Sequence, residues 1–178
     1  MSQAEKEETL KIAFELLDYR TTWKIKRIKD NISTSVKSYG LVYRVHIDCM
    51  CPADVLFEKL LHEKSPMVLE SVHLGMVDEQ TDIIRVKTEP SPCNFVKSKE
   101  IVNLRTWIQN DNSYLIVARS LNSQNAEFKN EIMVWQINNE TQQTCTVNFM
   151  MSLTHTAPIN IAYMFFKKYI KCLKVLAQ

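Results

Sequence analysis

The stretch from Pro158 to Leu176 constrains the architecture of this chain more than any other. Proline is well placed in the first turn of a helix, and the residues after it carry helical periodicity. Lys167, Lys171 and Lys174 recur at spacings of four and three, which puts them on one narrow strip. Round the rest of the wheel lie Ile161, Ala162, Met164, Phe165, Phe166, Tyr169, Ile170, Cys172, Leu173, Val175 and Leu176. That apolar arc covers about two-thirds of the circumference, whereas a helix resting on one sheet needs a stripe of roughly 100°. Such a helix must be nearly enclosed. It is either a core helix gripped by a strongly curved sheet or one wall of a cavity, and its pattern serves both.

What would grip it precedes it. Residues 144–153 alternate with period two: Cys145, Val147, Phe149, Met151 and Leu153 share one face, and Thr144, Thr146, Asn148, Met150 and Ser152 the other. Further strands are expected at residues 23–28, 32–36, 41–47, 71–77, 82–87, 100–108, 113–120 and 131–137, separated by turn residues such as Tyr39-Gly40, Asn110-Asp111-Asn112 and Asn138-Asn139. Pro90 and Pro92 make residues 89–94 a loop. Helices are expected at 4–18, where Leu10, Ala13, Phe14 and Leu17 form an apolar stripe, and at 53–61, opened by Pro52. The order is helix, three strands, helix, six strands, long helix. Elements segregated in this way predict an α+β fold with one long antiparallel sheet packed against helices, and 178 residues suit one domain spanning 1–178.

Composition excludes several function classes. A net charge of +2 is too small for a nucleic-acid surface. Gly40 and Gly75 are the only glycines, so neither a Walker A loop nor a GxGxxG fingerprint can be built. His46, His62, His73 and His155 lie in separate elements without metal-ligand spacing, and no GxSxG elbow occurs. The five cysteines form no CxxC pair and read as reduced core thiols. No segment has the roughly 20 continuous apolar residues of a membrane span, and the Glu- and Lys-rich start lacks the pattern of a secretory signal. The expectation is a cytoplasmic protein without cofactor or metal.

Trp23 followed by Tyr39-Gly40-Leu41-Val42-Tyr43-Arg44 resembles the opening of a START (StAR-related lipid transfer) domain. Lys99-Glu100-Ile101-Val102-Asn103-Leu104-Arg105-Thr106-Trp107 is similar to the family's RDFVxxRxW segment, Tyr114 to Ser120 stands in its next strand, Asn130-Glu131 with Trp135 in the one after, and Ala157-Pro158 before its final helix. The family's WD near residues 65–69 is missing, and Ser152 and His155 replace an Asp and a Gly before the last proline. The resemblance implies a helix-grip fold: a curved antiparallel sheet of about nine strands around the C-terminal helix, with one lipid, a sterol or a phospholipid, between them. It implies a carrier or sensor and not an enzyme, working as a monomer with transient membrane contact.

For the site, the resemblance implies Arg105 as a polar anchor pointing into the cavity; period two then puts Ile101, Asn103 and Trp107 on the same face. A buried guanidinium needs an acid, a water or a ligand oxygen, and Glu89 is the acid nearest the family's partner position. A register slip of one would turn Arg105 out to water instead. By the same likeness Phe165, Tyr169 and Leu173 face the cavity opposite Phe149, Met151 and Leu153. Plain core packing accounts for each apolar residue equally well. The lysine strip and the tip around Pro90 to Phe95 are either a solvated edge or a surface for anionic headgroups. A rival from another class is a helix-grip cyclase or hydrolase acting on a hydrophobic substrate, with His155, Arg105 and Glu89 as its polar groups.

Overall fold

The computed structural model describes residues 3–18, 25–29, 32–37, 40–62, 68–90, 98, 100–121, 131–153 and 159–177. Three helices, α1 (Gln3–Leu17), α2 (Ala53–His62) and α3 (Ile159–Leu176), accompany nine strands. The strands are β1 (Ile25–Lys29), β2 (Ile32–Lys37), β3 (Gly40–Cys49), β4 (Val68–Asp78), β5 (Thr81–Thr88), β6 (Glu100–Asn110), β7 (Ser113–Ser120), β8 (Ile132–Asn139) and β9 (Cys145–Leu153).

All nine join one antiparallel sheet in the order β1-β2-β3-β9-β8-β7-β6-β5-β4. Every neighbouring pair is consecutive in the chain except β3 and β9, which pair from Leu41 opposite Leu153 to Cys49 opposite Cys145. That one long-range ladder ties the first meander to the second. At the far edge, β4 is mostly exposed and its pairing with β5 is broken by three irregularities, which blunts an edge otherwise open to another strand.

Period two sorts the side chains onto two faces. The inner face presents Tyr43, Val45, Ile47, Ile116, Ala118, Trp135, Ile137, Val147 and Phe149, which form one core with α2 and with Phe166, Tyr169 and Leu173 of α3. The outer face presents Val42, Leu115, Val117, Ile132, Val134 and Met150 to α1. Lys6 holds Asp78 at 2.7 Å and Arg119 holds Glu8 at 2.8 Å, fixing α1 across the sheet.

Two helix faces differ from the sequence expectation. Helix α1 buries Thr9, Ala13 and Leu16, and Phe14 is exposed, because the face that meets the sheet is centred on Ala13. In α3, Met164 and Val175 are exposed beside Lys167, Lys171 and Lys174, so the outward face is wider than the lysine strip and the helix is less enclosed than its composition suggests. The buried stripe is Phe166, Tyr169, Leu173 and Ala177.

Candidate functional site

The inner face has two ends. At the first, α2 and the last turns of α3 cover the strands and the space is filled by aromatic rings. Phe149 stacks on Tyr169 with centroids 4.2 Å apart and an interplanar angle of 12°. Trp135 lies 5.3 Å from Phe149 and Phe57 of α2 lies 4.8 Å from Tyr114, while Phe166 lies 4.7 Å from Tyr43, which pairs with Met151 at the boundary with the second end. Trp135 Nε1 donates to the Tyr169 hydroxyl at 2.5 Å, giving the buried indole N–H its partner. Lys59 Nζ donates to the Leu176 carbonyl at 2.8 Å and ties α2 to the end of α3.

Cys49, Cys51 and Cys145 are buried at this end as free thiols, as expected. The hydrogen bond between Cys145 and Cys49 lowers the Cys49 thiol from its ordinary value and raises that of Cys145; burial raises Cys51. Among the described residues no group of three or more His, Cys, Asp or Glu is arranged to hold a metal.

At the second end, where β9 finishes and α3 begins, the inner face carries polar groups. Arg105 sits there, 13% exposed, opposite Ala118 and two residues from Trp107, whose ring centroid is 6.0 Å from its guanidinium carbon. Its Nε and NH2 donate to the two oxygens of Asp82 at 3.0 and 2.6 Å, and its NH1 donates to the Leu61 carbonyl at the end of α2 at 2.8 Å. Asp82 is 3% exposed and also lies 3.7 Å from His73 Nε2. A bidentate pair supplies the geometry that a buried guanidinium requires.

Two residues along β6, Asn103 faces Ser120 of β7 across the ladder. They are 2% and 6% exposed, and among the described residues Asn103 Nδ2 and Ser120 Oγ have no hydrogen-bond partner. Beside them Met133 and Met151 face each other across β8 and β9, inward but only partly buried.

Arg105, Asn103 and Trp107 therefore share the inner face, and the outward alternative for Arg105 does not hold. The partner of Arg105 is Asp82 and not Glu89. Asp82 stands directly opposite Arg105 on β5, whereas Glu89, beyond the end of that strand, accepts a hydrogen bond from Lys168 of α3. Phe149, Tyr169 and Leu173 belong to the filled end, packed against one another and their neighbours; Met151 stands at the polar end. The side chains of Leu153 and Phe165 lie outside the described residues, as do His155 and the tip from residue 91 to 97.

Sequence reasoning missed Asp82 and Ser120. Ser120 had a usable signal, since counting back from the two-residue turn Asp111-Asn112 sets Asn103 opposite it. Asp82 had none of that kind, because the long connection between β5 and β6 leaves their register uncounted.

No family model matches the sequence, and no curated protein matches it. Solved structures do. Human StAR-related lipid transfer protein 5 superposes with a TM-score of 0.73 at 13% identity, covering 99% of this chain and 98% of the other. The human StarD13 lipid transfer and protein localization domain gives 0.67 at 14% identity, covering 100% and 98%. The Zhui aromatase/cyclase from Streptomyces gives 0.51 at 9% identity, covering 76% and 92%. Coverage over nearly whole chains, with a sheet wrapped on its C-terminal helix, means that this chain has the START-type helix-grip fold.

Proposed function

We propose that the chain binds one lipid, of sterol or phospholipid type, in an apolar cavity between the second end of the inner face and the first half of α3, and carries it between membranes or senses it. The carrying observation is the contrast on the inner face. Aromatic rings fill one end, while at the other Met133, Met151 and Ile101 face inward without being fully buried, beside a paired Arg105 and Asp82. Pockets for hydrophobic ligands have this make-up: mostly apolar walls with a few placed polar groups. The human StAR-related lipid transfer protein 5 and the StarD13 lipid transfer domain, similar in fold, support the same reading.

The reading takes the chain to be a carrier and not an enzyme, monomeric and cytoplasmic. Both Asp82 oxygens accept hydrogen bonds from Arg105, an arrangement that suits a bracing ion pair. The exposed face of α3, with Met164, Lys167, Lys171, Lys174 and Val175, suits transient contact with an anionic bilayer.

Native mass spectrometry after incubation with mixed vesicles tests the proposal. One intact lipid per chain is the expected result. A chain that stays empty with every vesicle composition overturns it, and release of a chemically altered lipid favours the cyclase or hydrolase reading.

A further inference from the structure

Asn103 and Ser120 form one rung of the β6–β7 ladder, and both point to the inner face, as their neighbours Arg105 and Ala118 do. Each is more than nine-tenths buried, and each has a polar side-chain atom without a partner among the described residues, Nδ2 on Asn103 and Oγ on Ser120. A buried amide or hydroxyl left unpaired is costly, and native proteins contain few. Two on one rung, facing the side where the methionines keep open surface, are poorly explained by packing.

The neighbouring charge does not explain them either. All three guanidinium nitrogens of Arg105 are engaged, by the carboxylate of Asp82 and the Leu61 carbonyl. The ion pair is internally neutral, so this end offers no unmatched cation to a phosphate, and a desolvated phosphate without one is strongly disfavoured. What stands wholly unpartnered among the described residues is the amide NH2 of Asn103 and the hydroxyl of Ser120, which can donate or accept. An uncharged hydroxyl complements both, accepting from Asn103 Nδ2 while donating to Ser120 Oγ.

We propose that Asn103 and Ser120 are a two-point site for the single uncharged hydroxyl of a neutral lipid, and that Arg105 and Asp82 brace the site instead of touching the ligand. This rests on the lipid-carrier reading and narrows it from any lipid to a neutral alcohol.

The test uses the full chain stripped of lipid, with vesicles loaded in turn with cholesterol, cholesterol methyl ether, octadecanol, octadecyl methyl ether or phosphatidylcholine. At least one free alcohol is expected to bind one per chain, tenfold or more tighter than its own ether, because the ether cannot donate. Asn103→Leu and Ser120→Ala are each expected to weaken alcohol binding about five- to tenfold, and Ser120→Ala, which removes the acceptor of the ligand hydroxyl's proton, is expected to abolish the preference over the ether. The lipid-free variants should unfold at no lower denaturant concentration than the parent, since each removes an unpaired buried group. Equal binding of alcohol and ether, a preference for phosphatidylcholine untouched by both variants, or a marked loss of stability in Asn103→Leu overturns the hydroxyl site and leaves the carrier reading standing. A chain that takes up none of these probes and no lipid from cell-derived vesicles overturns both.

Discussion

Phe149 and Met151 stand two residues apart on the same face of β9, yet one is sealed among aromatic rings and the other keeps part of its surface open. The pair samples the two ends of the inner face. At the Phe149 end, α2 and the last turns of α3 bring Phe57, Tyr169 and Leu173 onto the sheet and leave nothing for a ligand to do. At the Met151 end Tyr43 of β3 still packs on Phe166, but on the β6 and β7 side small and polar residues, Ala118, Ser120 and Asn103, line the inner face in place of rings. One sheet thus builds a stability half and a recognition half, and the boundary between them falls within two residues of a single strand.

Truncation should separate the halves most sharply. Phe149→Ala removes the stack on Tyr169 and the contacts with Trp135 and Phe166, and is expected to cost about 3–5 kcal/mol of folding stability. Met151→Ala is expected to cost about 1–2 kcal/mol, below the usual range for a buried methionine, because part of its surface is open already. Urea unfolding of the two variants measures the gap. Equal losses would mean that the Met151 end is packed as tightly as the other, and the contrast would fail.

The next largest effect concerns the ion pair at the boundary. Asp82→Ala leaves the Arg105 guanidinium, 13% exposed, with only the Leu61 carbonyl, and is expected to cost about 3 kcal/mol. Replacing both residues, as Asp82→Leu with Arg105→Met, should restore most of that loss, since apolar pairs of similar volume often match buried ion pairs in stability. If Arg105 only braces the site, the double variant keeps lipid binding within a fewfold of the parent. Loss of all binding in a stably folded double variant would return Arg105 to the role of direct anchor.

Much of this was legible in the sequence, and the reason is local. The strands announce themselves by alternation, and the helices by Pro52, Pro158 and their apolar spacing. The nine strands follow the expected order with ends shifted by a few residues. Arg105, Asn103 and Trp107 came out on one inward face because parity along a strand survives any uncertainty about its neighbours. What was not legible depends on contacts between distant segments. Asp82 displaces Glu89 as the partner of Arg105 through a register that no short turn sets. Phe149 and Tyr169 read equally well as cavity wall or as core, because an apolar ring looks the same in sequence whether a ligand or another ring lies against it.

The smallest expected effect lies on the outer face, where α1 is tied down by charges and not by the inner-face contrast. The hydrogen bond from Lys6 holds the Asp78 carboxyl below its ordinary value, and the hydrogen bond and charge of Arg119 do the same for Glu8. A carboxyl whose value is lower in the folded chain stabilises the fold above the ordinary carboxylate range, and that contribution is lost as pH falls through the folded value. Stability from these pairs should therefore be intact at pH 7 and decline below about pH 5. Both acids are about a third or more exposed, so solvent screening limits each pair to roughly 0.2–0.5 kcal/mol. The measurement is the difference in urea stability between the parent and a Glu8→Gln, Asp78→Asn variant, followed from pH 7 to pH 3. The difference should shrink with acid and with added salt, while lipid binding at pH 7 stays the same in both proteins, because α1 packs on the face opposite the recognition half. A difference that does not change with pH would mean that α1 is held by its apolar face alone.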